Sequence, residues 1–190
     1  MAKAGRVKGA SFIRAGEKLR GLVEGGVVSR DALRVQLSPD AFALYEEKIL
    51  PSLWYPLAVV DELSRVLVDL EGDGDPAYMR SVGANALGAL LERESFRSFI
   101  EGAMRQRDGE GQALVQLAGL VYDFGEWTFE GRDLFEFRAT MVDAEPLPAL
   151  ASETIAGFVE ALVEHCTGTP IRVTAERPEL GRLVFDATRA

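Results

Sequence analysis

The chain has 190 residues, of which 47% are hydrophobic and 27% are charged, with a formal net charge of -9 and a pI near 4.8. This composition is typical of one globular domain over residues 1–190, and its acidity argues against a nucleic-acid-binding surface, which needs clustered Lys and Arg. The single cysteine excludes an internal disulfide, and the single histidine excludes a multi-histidine metal site. No apolar run approaches the roughly 20 residues of a membrane span. We therefore expect a cytoplasmic protein.

Residues 7–124 are predicted to form a helical body. Apolar residues recur there at helical spacing, and Ser, Asp, Pro and Gly mark the ends of the periodic stretches. After a loose start over residues 1–6, the predicted helices are one that ends at Gly25-Gly26, a short one after Ser29, one opened by Ser38-Pro39, one over 57–70, one from Asp75-Pro76 to Glu92, one over 95–107 and one over 112–124.

The segment between Pro51 and Pro56 interrupts these helices and carries two large aromatic residues, Trp54 and Tyr55. Proline at both ends predicts a linker, because proline disrupts a helix interior. The aromatic side chains indicate that this linker lies against the helical body and not out in solvent.

The helix from Asp75 to Glu92 is rich in small residues. Gly83 and Gly88 inside it each cost about 1 kcal/mol relative to alanine, which indicates the close approach of another backbone or a ligand. Together with neighbouring alanines they give the helix two small faces, which favours a homodimer with this helix at or near the contact. The alternative is that the helix is the buried centre of the chain's own fold, packed on every side.

The last part of the chain, about residues 125–189, is predicted to form a hairpin, a helix and a second hairpin. Gly131 supplies the first turn, and a turn through Pro178 and Gly181 supplies the second. Apolar and polar side chains alternate as in strands with one buried face over residues 127–130, 135–141, 171–176 and 183–188. The predicted fold class is α+β, with a helical first two thirds followed by a four-stranded antiparallel sheet packed on helices.

An apolar stripe at the helical period lies between the two hairpins. It predicts a helix that ends at Gly168, a suitable left-handed cap. Phe158 lies in the middle of the stripe and should be buried between helix and sheet, while Glu160 and Glu164 should point the other way. The stripe consists of Ile155, Phe158, Val159, Leu162, Val163 and Cys166.

No motif of established chemistry is present in the sequence, neither a phosphate-binding glycine loop nor a nucleophile elbow nor a Cys-x-x-Cys pair. Asp73-Gly74-Asp75 resembles the start of a calcium loop, but Pro76 and Ala77 follow where further ligands belong, so a solvated turn is predicted. His165 and Cys166 are adjacent, and adjacent helical side chains do not face each other, which disfavours an activated thiolate. We therefore expect no catalytic residues and no metal ligands.

Five aromatic residues and the single histidine are the candidates for a ligand site. The aromatic side chains could line a pocket, although aromatic residues on helical stripes are usually core. The candidates are Trp54, Tyr55, Tyr78, Tyr122, Trp127 and His165.

The order of elements resembles a known superfamily. The opening Val7-Lys8-Gly9-Ala10-Ser11-Phe12, the hairpin over 127–141 and the helix that ends His165-Cys166-Thr167-Gly168 are similar to haem nitric-oxide-binding domains, 4-vinyl reductase domains and Golgi-transport (TRAPP) subunits. More narrowly, the chain resembles an uncharacterised myxobacterial family of similar length built on that plan.

The chain departs from the haem-binding members of this superfamily where their ligand would be held. A haem sensor of this kind needs a mid-chain proximal histidine and a Tyr-x-Ser-x-Arg motif, whereas the histidine here is the late His165 and the motif is missing. The cysteines of the metal-binding relatives are missing too. The resemblance therefore implies no haem or metal cofactor, and it leaves apolar small-molecule binding or protein interaction.

Two functions from different classes follow from these observations. The first is a non-enzymatic small-molecule-sensing or regulatory binding module, with an apolar pocket between helices and sheet that holds a small apolar or aromatic ligand. The second is a dimeric protein-interaction scaffold without a ligand. An enzyme ranks third, because no nucleophile–base or paired-carboxylate spacing can be singled out among 30 acidic residues.

Overall fold

Helices fill most of the first two thirds of the chain, as predicted. The structure is a computed structural model that describes residues 4–104, 109–131 and 133–190. The Ser29 hydroxyl accepts a hydrogen bond from the Ala32 amide (3.1 Å), and this contact caps the second helix as predicted. The helices are α1 (Ile13–Glu24), α2 (Arg30–Gln36), α3 (Pro39–Glu46), α4 (Leu57–Glu71), α5 (Tyr78–Leu91), α6 (Glu94–Met104) and α7 (Gly109–Val121).

A short antiparallel sheet forms where the sequence predicts a loose start and a linker. Strand β1 (Arg6–Lys8) pairs with β2 (Trp54–Pro56), so both predictions were wrong at these residues, and the predicted helical body does not begin with a helix at Val7. The two segments satisfy each other's backbone hydrogen-bonding groups, a pairing over a long sequence separation that local patterns do not reveal. The aromatic segment does lie against the body, since the ring of Tyr55 packs edge-on against Phe12 with ring centroids 5.3 Å apart.

The last third of the chain forms the predicted hairpin, helix and hairpin, which confirms the α+β fold class. The strands make a four-stranded antiparallel sheet in the order β3-β4-β6-β5, and the helix between the hairpins packs on it. These elements are β3 (Glu126–Gly131), β4 (Phe137–Val142), α8 (Ala149–Thr167), β5 (Ile171–Glu179) and β6 (Arg182–Arg189).

The ends of these elements follow local chemistry. Gly168 ends α8 with a φ of 69°, the left-handed cap that the sequence predicts. The second hairpin turns later than predicted, because a register shift between Glu176 and Glu179 accommodates Pro178 within β5, which is an edge strand. The predicted end of the sixth helix at residue 107 and residue 132 of the first turn lie outside the described residues. None of the helices in the described ranges has both the length and the apolar character that crossing a bilayer requires.

The backbones of α5 and α8 approach each other closely at two glycines. A Cβ atom added at Gly83 would clash with the carbonyl oxygen of Thr154 on α8, and one added at Gly157 would clash with that of Arg80 on α5. Gly88, in contrast, is exposed, and a Cβ atom there would meet no atom of the described residues within 4 Å. The close-packing interpretation therefore applies to Gly83, and α5 is not packed by its own chain on every side.

Arg80 on α5 holds this junction together electrostatically. Its Nε atom lies 2.7 Å from a carboxylate oxygen of Glu153, and its Nη1 atom lies 2.6 Å from one of Glu160. The same Nη1 donates a hydrogen bond to the carbonyl oxygen of Val173 in β5 at 3.0 Å. Glu160 is partly buried and does not point to solvent as predicted, because it also accepts a hydrogen bond from the Val173 amide (2.8 Å).

Two matched substitutions on α5 test the close contact. Gly83→Ala should lower the free energy of unfolding by about 1–3 kcal/mol, since the added methyl group is forced against the backbone of α8. Gly88→Ala should raise it by about 0.5–1 kcal/mol, because alanine is the better helix former and the position is open. Urea denaturation of the three proteins measures both changes, and equal effects at the two positions would contradict the described packing.

Candidate functional site

An apolar cavity of about 100 Å³, here called the main cavity, lies between the helices and one face of the four-stranded sheet. The sheet contributes a mostly aromatic wall, while α5, α7 and α8 contribute mostly aliphatic ones. The main cavity is lined by Ser11, Ala86, Leu90, Phe96, Leu114, Val115, Leu117, Ala118, Val121, Tyr122, Trp127, Phe129, Phe137, Ala139, Thr154, Ile155, Phe158, Val159 and Phe185.

The aromatic wall follows from strand alternation. Trp127 and Phe129 are two residues apart in β3, so both point to the same face of the sheet. Trp127 stacks on Phe185 of β6 with ring centroids 5.8 Å apart, and Phe129 stacks on Phe137 of β4 at 4.9 Å. Four rings from three strands thereby lie on one face of the sheet as two stacked pairs.

Two glycines let the chain come close to this wall. A Cβ atom at Gly111 would overlap the ring of Phe129, so the missing side chain allows the start of α7 to rest on β3. Gly125 has a φ of 75° and lies against Met141, which permits the sharp entry from α7 into β3. The distance between α7 and the sheet, and with it the width of the main cavity, depends on these two positions.

Tyr122 is positioned just after α7 by the N-terminal strand. The amide and the Nε atom of Arg6 donate hydrogen bonds to the two carboxylate oxygens of Asp123, at 2.8 and 2.6 Å. The Asp123 amide donates in return to the carbonyl oxygen of Arg6 at 3.2 Å, and Val7 forms a β-bridge with Tyr122. Strand β1 therefore fixes the ring of Tyr122 at the edge of the main cavity.

The polar atoms near the main cavity are poorly hydrated. Burial raises the pKa of Tyr122 well above the ordinary tyrosine value, because desolvation disfavours the charged phenolate. The indole Nε1 of Trp127 is buried with no hydrogen-bond partner in the described part of the chain. A buried donor without a partner costs free energy, so the Trp127 indole is a polar exception in an otherwise apolar lining.

Residues of two separate apolar clusters face each other across the main cavity. Phe137 and Phe185 belong to the large core that includes the sheet. Leu117 belongs to a smaller cluster built by α5, α6, α7 and α8, against which Phe96 and Phe158 pack. Phe158, predicted to be buried between helix and sheet, is only partly buried, and it lines the main cavity.

A second, smaller cavity of about 50 Å³ lies next to the main cavity. Ser11, Tyr122 and Thr154 line both, so the two cavities are neighbours. The smaller cavity is also lined by Asp61 and Ser64 of α4. Most of its lining is apolar, but Asp61 and Ser64 add polar side chains that do not line the main cavity.

The structure brings together two of the six candidate ligand residues, since Tyr122 and Trp127 line the main cavity. Trp54 lies beneath the ammonium group of Lys8, 4.1 Å from the ring centroid. Tyr78 packs beside the ammonium group of Lys18 at 5.2 Å.

The remaining two candidates also lie away from the main cavity. The Tyr55 hydroxyl accepts a hydrogen bond from the Leu50 amide at 2.8 Å. His165 is exposed in the last turn of α8. A ligand role for these residues remains a prediction.

Sequence reasoning missed most of the cavity lining because it assigned these residues to the core. Phe129, Phe137, Phe158 and Phe185 were read as the apolar sides of strands and of a helix, which they are. Small residues on the facing elements leave the space open, and Ala118 is an example. Patterns within one element cannot show which distant element stands opposite.

No family model and no curated protein matches the chain, whereas solved structures do. The unliganded Fe(II) H-NOX protein from K. algicida is 10% identical, with 96% of each chain covered and a TM-score of 0.61. A mutant of the T. tengcongensis H-NOX protein is 14% identical, with 96% of this chain and 97% of that chain covered and a TM-score of 0.60. A structure from work on haem distortion in the H-NOX family is 15% identical, with 96% and 94% covered and a TM-score of 0.63. The chain therefore has an H-NOX-like fold, and at these identities the likeness concerns the fold alone.

The haem and iron of those structures do not fit the residues around the main cavity. A volume of about 100 Å³ is far below the roughly 300–1,000 Å³ of pockets that hold drug-sized ligands, and a porphyrin is no smaller than those ligands. Haem iron also needs an axial ligand such as His or Tyr. The single histidine, His165, is exposed and does not line the main cavity. Over the described ranges, no group of three or more His, Cys, Asp or Glu could hold a metal ion.

The stability of a Tyr122→Phe variant should reveal the burial of the hydroxyl. An unfolded tyrosine ionises near pH 10.0, whereas the raised pKa keeps folded Tyr122 neutral, so wild-type stability falls relative to Tyr122→Phe as the pH rises above that value. The relative loss should reach about 1 kcal/mol at pH 11 and vanish below about pH 9. Urea denaturation at each pH measures the difference, and a difference independent of pH would contradict the burial.

Proposed function

We propose that this protein is a non-enzymatic binding module that senses a small apolar or aromatic molecule in the main cavity. The observation that carries the proposal is the apolar space of about 100 Å³ with a wall of four aromatic rings. Empty apolar cavities in this size range bind molecules such as benzene or xenon, as one of about 150 Å³ does in another protein. A ligand no larger than about one aromatic ring would suit this space.

The H-NOX-like fold supports a sensing role by analogy. The similar structures include an unliganded Fe(II) H-NOX protein, one from work on haem distortion in the H-NOX family and one from work on the mechanism of H-NOX activation. Because the likeness concerns the fold alone, it favours sensing without naming the ligand. The narrower resemblance to 4-vinyl reductase domains, Golgi-transport (TRAPP) subunits and the myxobacterial family remains a prediction.

The chemistry of the main cavity favours binding over catalysis. Two of the hydroxyl groups in its described lining are already committed, since Ser11 donates to the carbonyl oxygen of Lys8 (2.7 Å) and Thr154 donates to that of Leu150 (3.1 Å). The third belongs to Tyr122, and among the described lining residues no histidine, carboxylate, lysine or thiol stands beside it as a base or a nucleophile. The arrangement can enclose an apolar molecule, and it pairs no nucleophile with a base.

The position of the main cavity suggests how occupancy would become a signal. A ligand there would contact Phe185 of the large core and Leu117 of the smaller cluster at the same time. Binding would therefore favour conformations in which α6 and α7 are held against the sheet, which is a shift of population between existing states. The smaller cluster is the part of the fold that we expect to respond.

Benzene is a suitable first probe of the main cavity. At ten times its Kd, it should raise the free energy of unfolding by about 1.4 kcal/mol and the Tm by about 3–5 °C. Ala118→Leu should weaken binding at least about tenfold, because the larger side chain fills part of the space. Titration calorimetry and the fluorescence of Trp127 in a Trp54→Phe background measure the affinity.

Gln116→Leu is the matched control for this experiment. It introduces the same side chain at an exposed position of α7 that does not line the main cavity, so it should leave the affinity unchanged. Absence of benzene binding to the wild type, or equal weakening by both variants, would overturn the proposal.

The alternative function is a dimeric scaffold without a ligand. One observation favours a helical contact, which is the open, exposed position of Gly88 on α5. If that face meets a second subunit, Gly88→Leu should convert dimers into folded monomers, since the larger side chain would block a close helix approach. Light scattering with circular dichroism tests this expectation, and a wild type that stays monomeric at high micromolar concentration would exclude the homodimer.

A further inference from the structure

The smaller cavity contains a carboxylate that lacks one of its hydrogen-bond partners. Asp61 of α4 is 9% exposed and lines this cavity. Its Oδ2 atom accepts a hydrogen bond from Nε of Arg65 at 2.9 Å, but its buried Oδ1 atom has no partner in the described part of the chain. A buried acceptor without a donor costs free energy, and such a group in a native fold calls for an explanation.

The side chains around the smaller cavity do not supply the missing donor. The hydroxyl of Ser64 donates to the carbonyl oxygen of Val60 at 3.0 Å. The hydroxyls of Ser11 and Thr154 also donate to backbone carbonyl oxygens, as described above. The hydroxyl of Tyr122, which also lines this cavity, does not donate to Oδ1 either. A molecule that enters the cavity could supply the donor.

The charge around Asp61 favours a neutral donor. Its carboxylate already pairs with the guanidinium group of Arg65, whose Nη2 lies 2.8 Å from Oδ2. A second full positive charge is not needed to balance the site, whereas a hydroxyl group supplies one donor and can enter at a lower desolvation cost than an ion.

The two cavities share the lining residues Ser11, Tyr122 and Thr154, so a molecule that extends past these side chains would occupy both. We infer that the smaller cavity is the polar end of the binding site and that Asp61 accepts a hydrogen bond from the hydroxyl group of a small aromatic or aliphatic alcohol. This inference rests on the proposed function, because it places the apolar part of the ligand in the main cavity.

Phenol and toluene distinguish this inference from a simpler explanation. In that explanation a water molecule donates to Asp61, and the ligand makes no contact with it. The two probes have similar size and differ by a hydroxyl in place of a methyl group. The wild type should bind phenol about 10–100-fold more tightly than toluene, because a hydrogen bond to a charged acceptor is gained. Without that bond the more apolar toluene should bind at least as well.

Asp61→Ala should abolish the preference for phenol and leave toluene binding unchanged. Alanine favours the helix and the variant loses a buried, half-satisfied carboxylate, so we expect it to fold, which circular dichroism can verify. Asp61→Asn is a second variant of nearly the same shape, and its preference should fall because a neutral amide is the weaker acceptor. Asp69→Ala makes the same change at an exposed position of α4 and should keep the wild-type preference.

The outcomes distinguish the two proposals. If neither toluene, benzene nor phenol binds the wild type, the proposed function fails and this inference fails with it. If the apolar probes bind but phenol has no advantage, or if Asp61→Ala keeps the advantage, only the role of Asp61 is overturned. A preference that disappears in Asp61→Ala and persists in Asp69→Ala supports the inference.

Discussion

The close crossing of α5 and α8 is the constraint on which the rest of the structure depends. Gly83 and Gly157 allow the two backbones to touch, and Arg80 joins α5 to Glu160 of α8 and to Val173 of β5. Glycine in a helix is unfavourable, and partly buried ion pairs contribute little unless their hydrogen bonds are satisfied. Both features occur here at one junction, where they fix the position of α8 against the sheet.

The main cavity is a consequence of that junction. Gly157 is the point where α8 meets the backbone of α5, whereas the next two residues, Phe158 and Val159, line the main cavity. The contact with α5 fixes the α8 backbone from which these larger side chains project. The fold therefore keeps an apolar space between two clusters, where a compact core would ordinarily fill it.

The fold was largely predictable because its signals are local. Alternation around Trp127 and Phe129, the helical stripe before Gly168 and the cap at Ser29 each depend on a few neighbouring residues. The pairing of β1 with β2 and the inward turn of Glu160 were not predictable, since each depends on a partner far away in sequence.

The site was predictable only in part for the same reason. Tyr122 and Trp127 were candidates because aromatic residues often line pockets, but Trp54 and Tyr55 were candidates on the same ground and lie elsewhere. Asp61 carried a signal that is visible in retrospect. It stands next to the apolar stripe of α4, one turn before Ser64, where a polar pair borders buried residues. Its missing partner could be found only from the three-dimensional arrangement.

The most direct test of this account is a crystal structure of the protein under xenon pressure. Xenon is apolar and of a size that small apolar cavities accept, and its anomalous scattering marks its position without any assumption about the natural ligand. The account predicts a xenon atom in the main cavity, bounded by Trp127, Phe158 and Phe185. A cavity closed by its own side chains, with no xenon between α8 and the sheet, would contradict it.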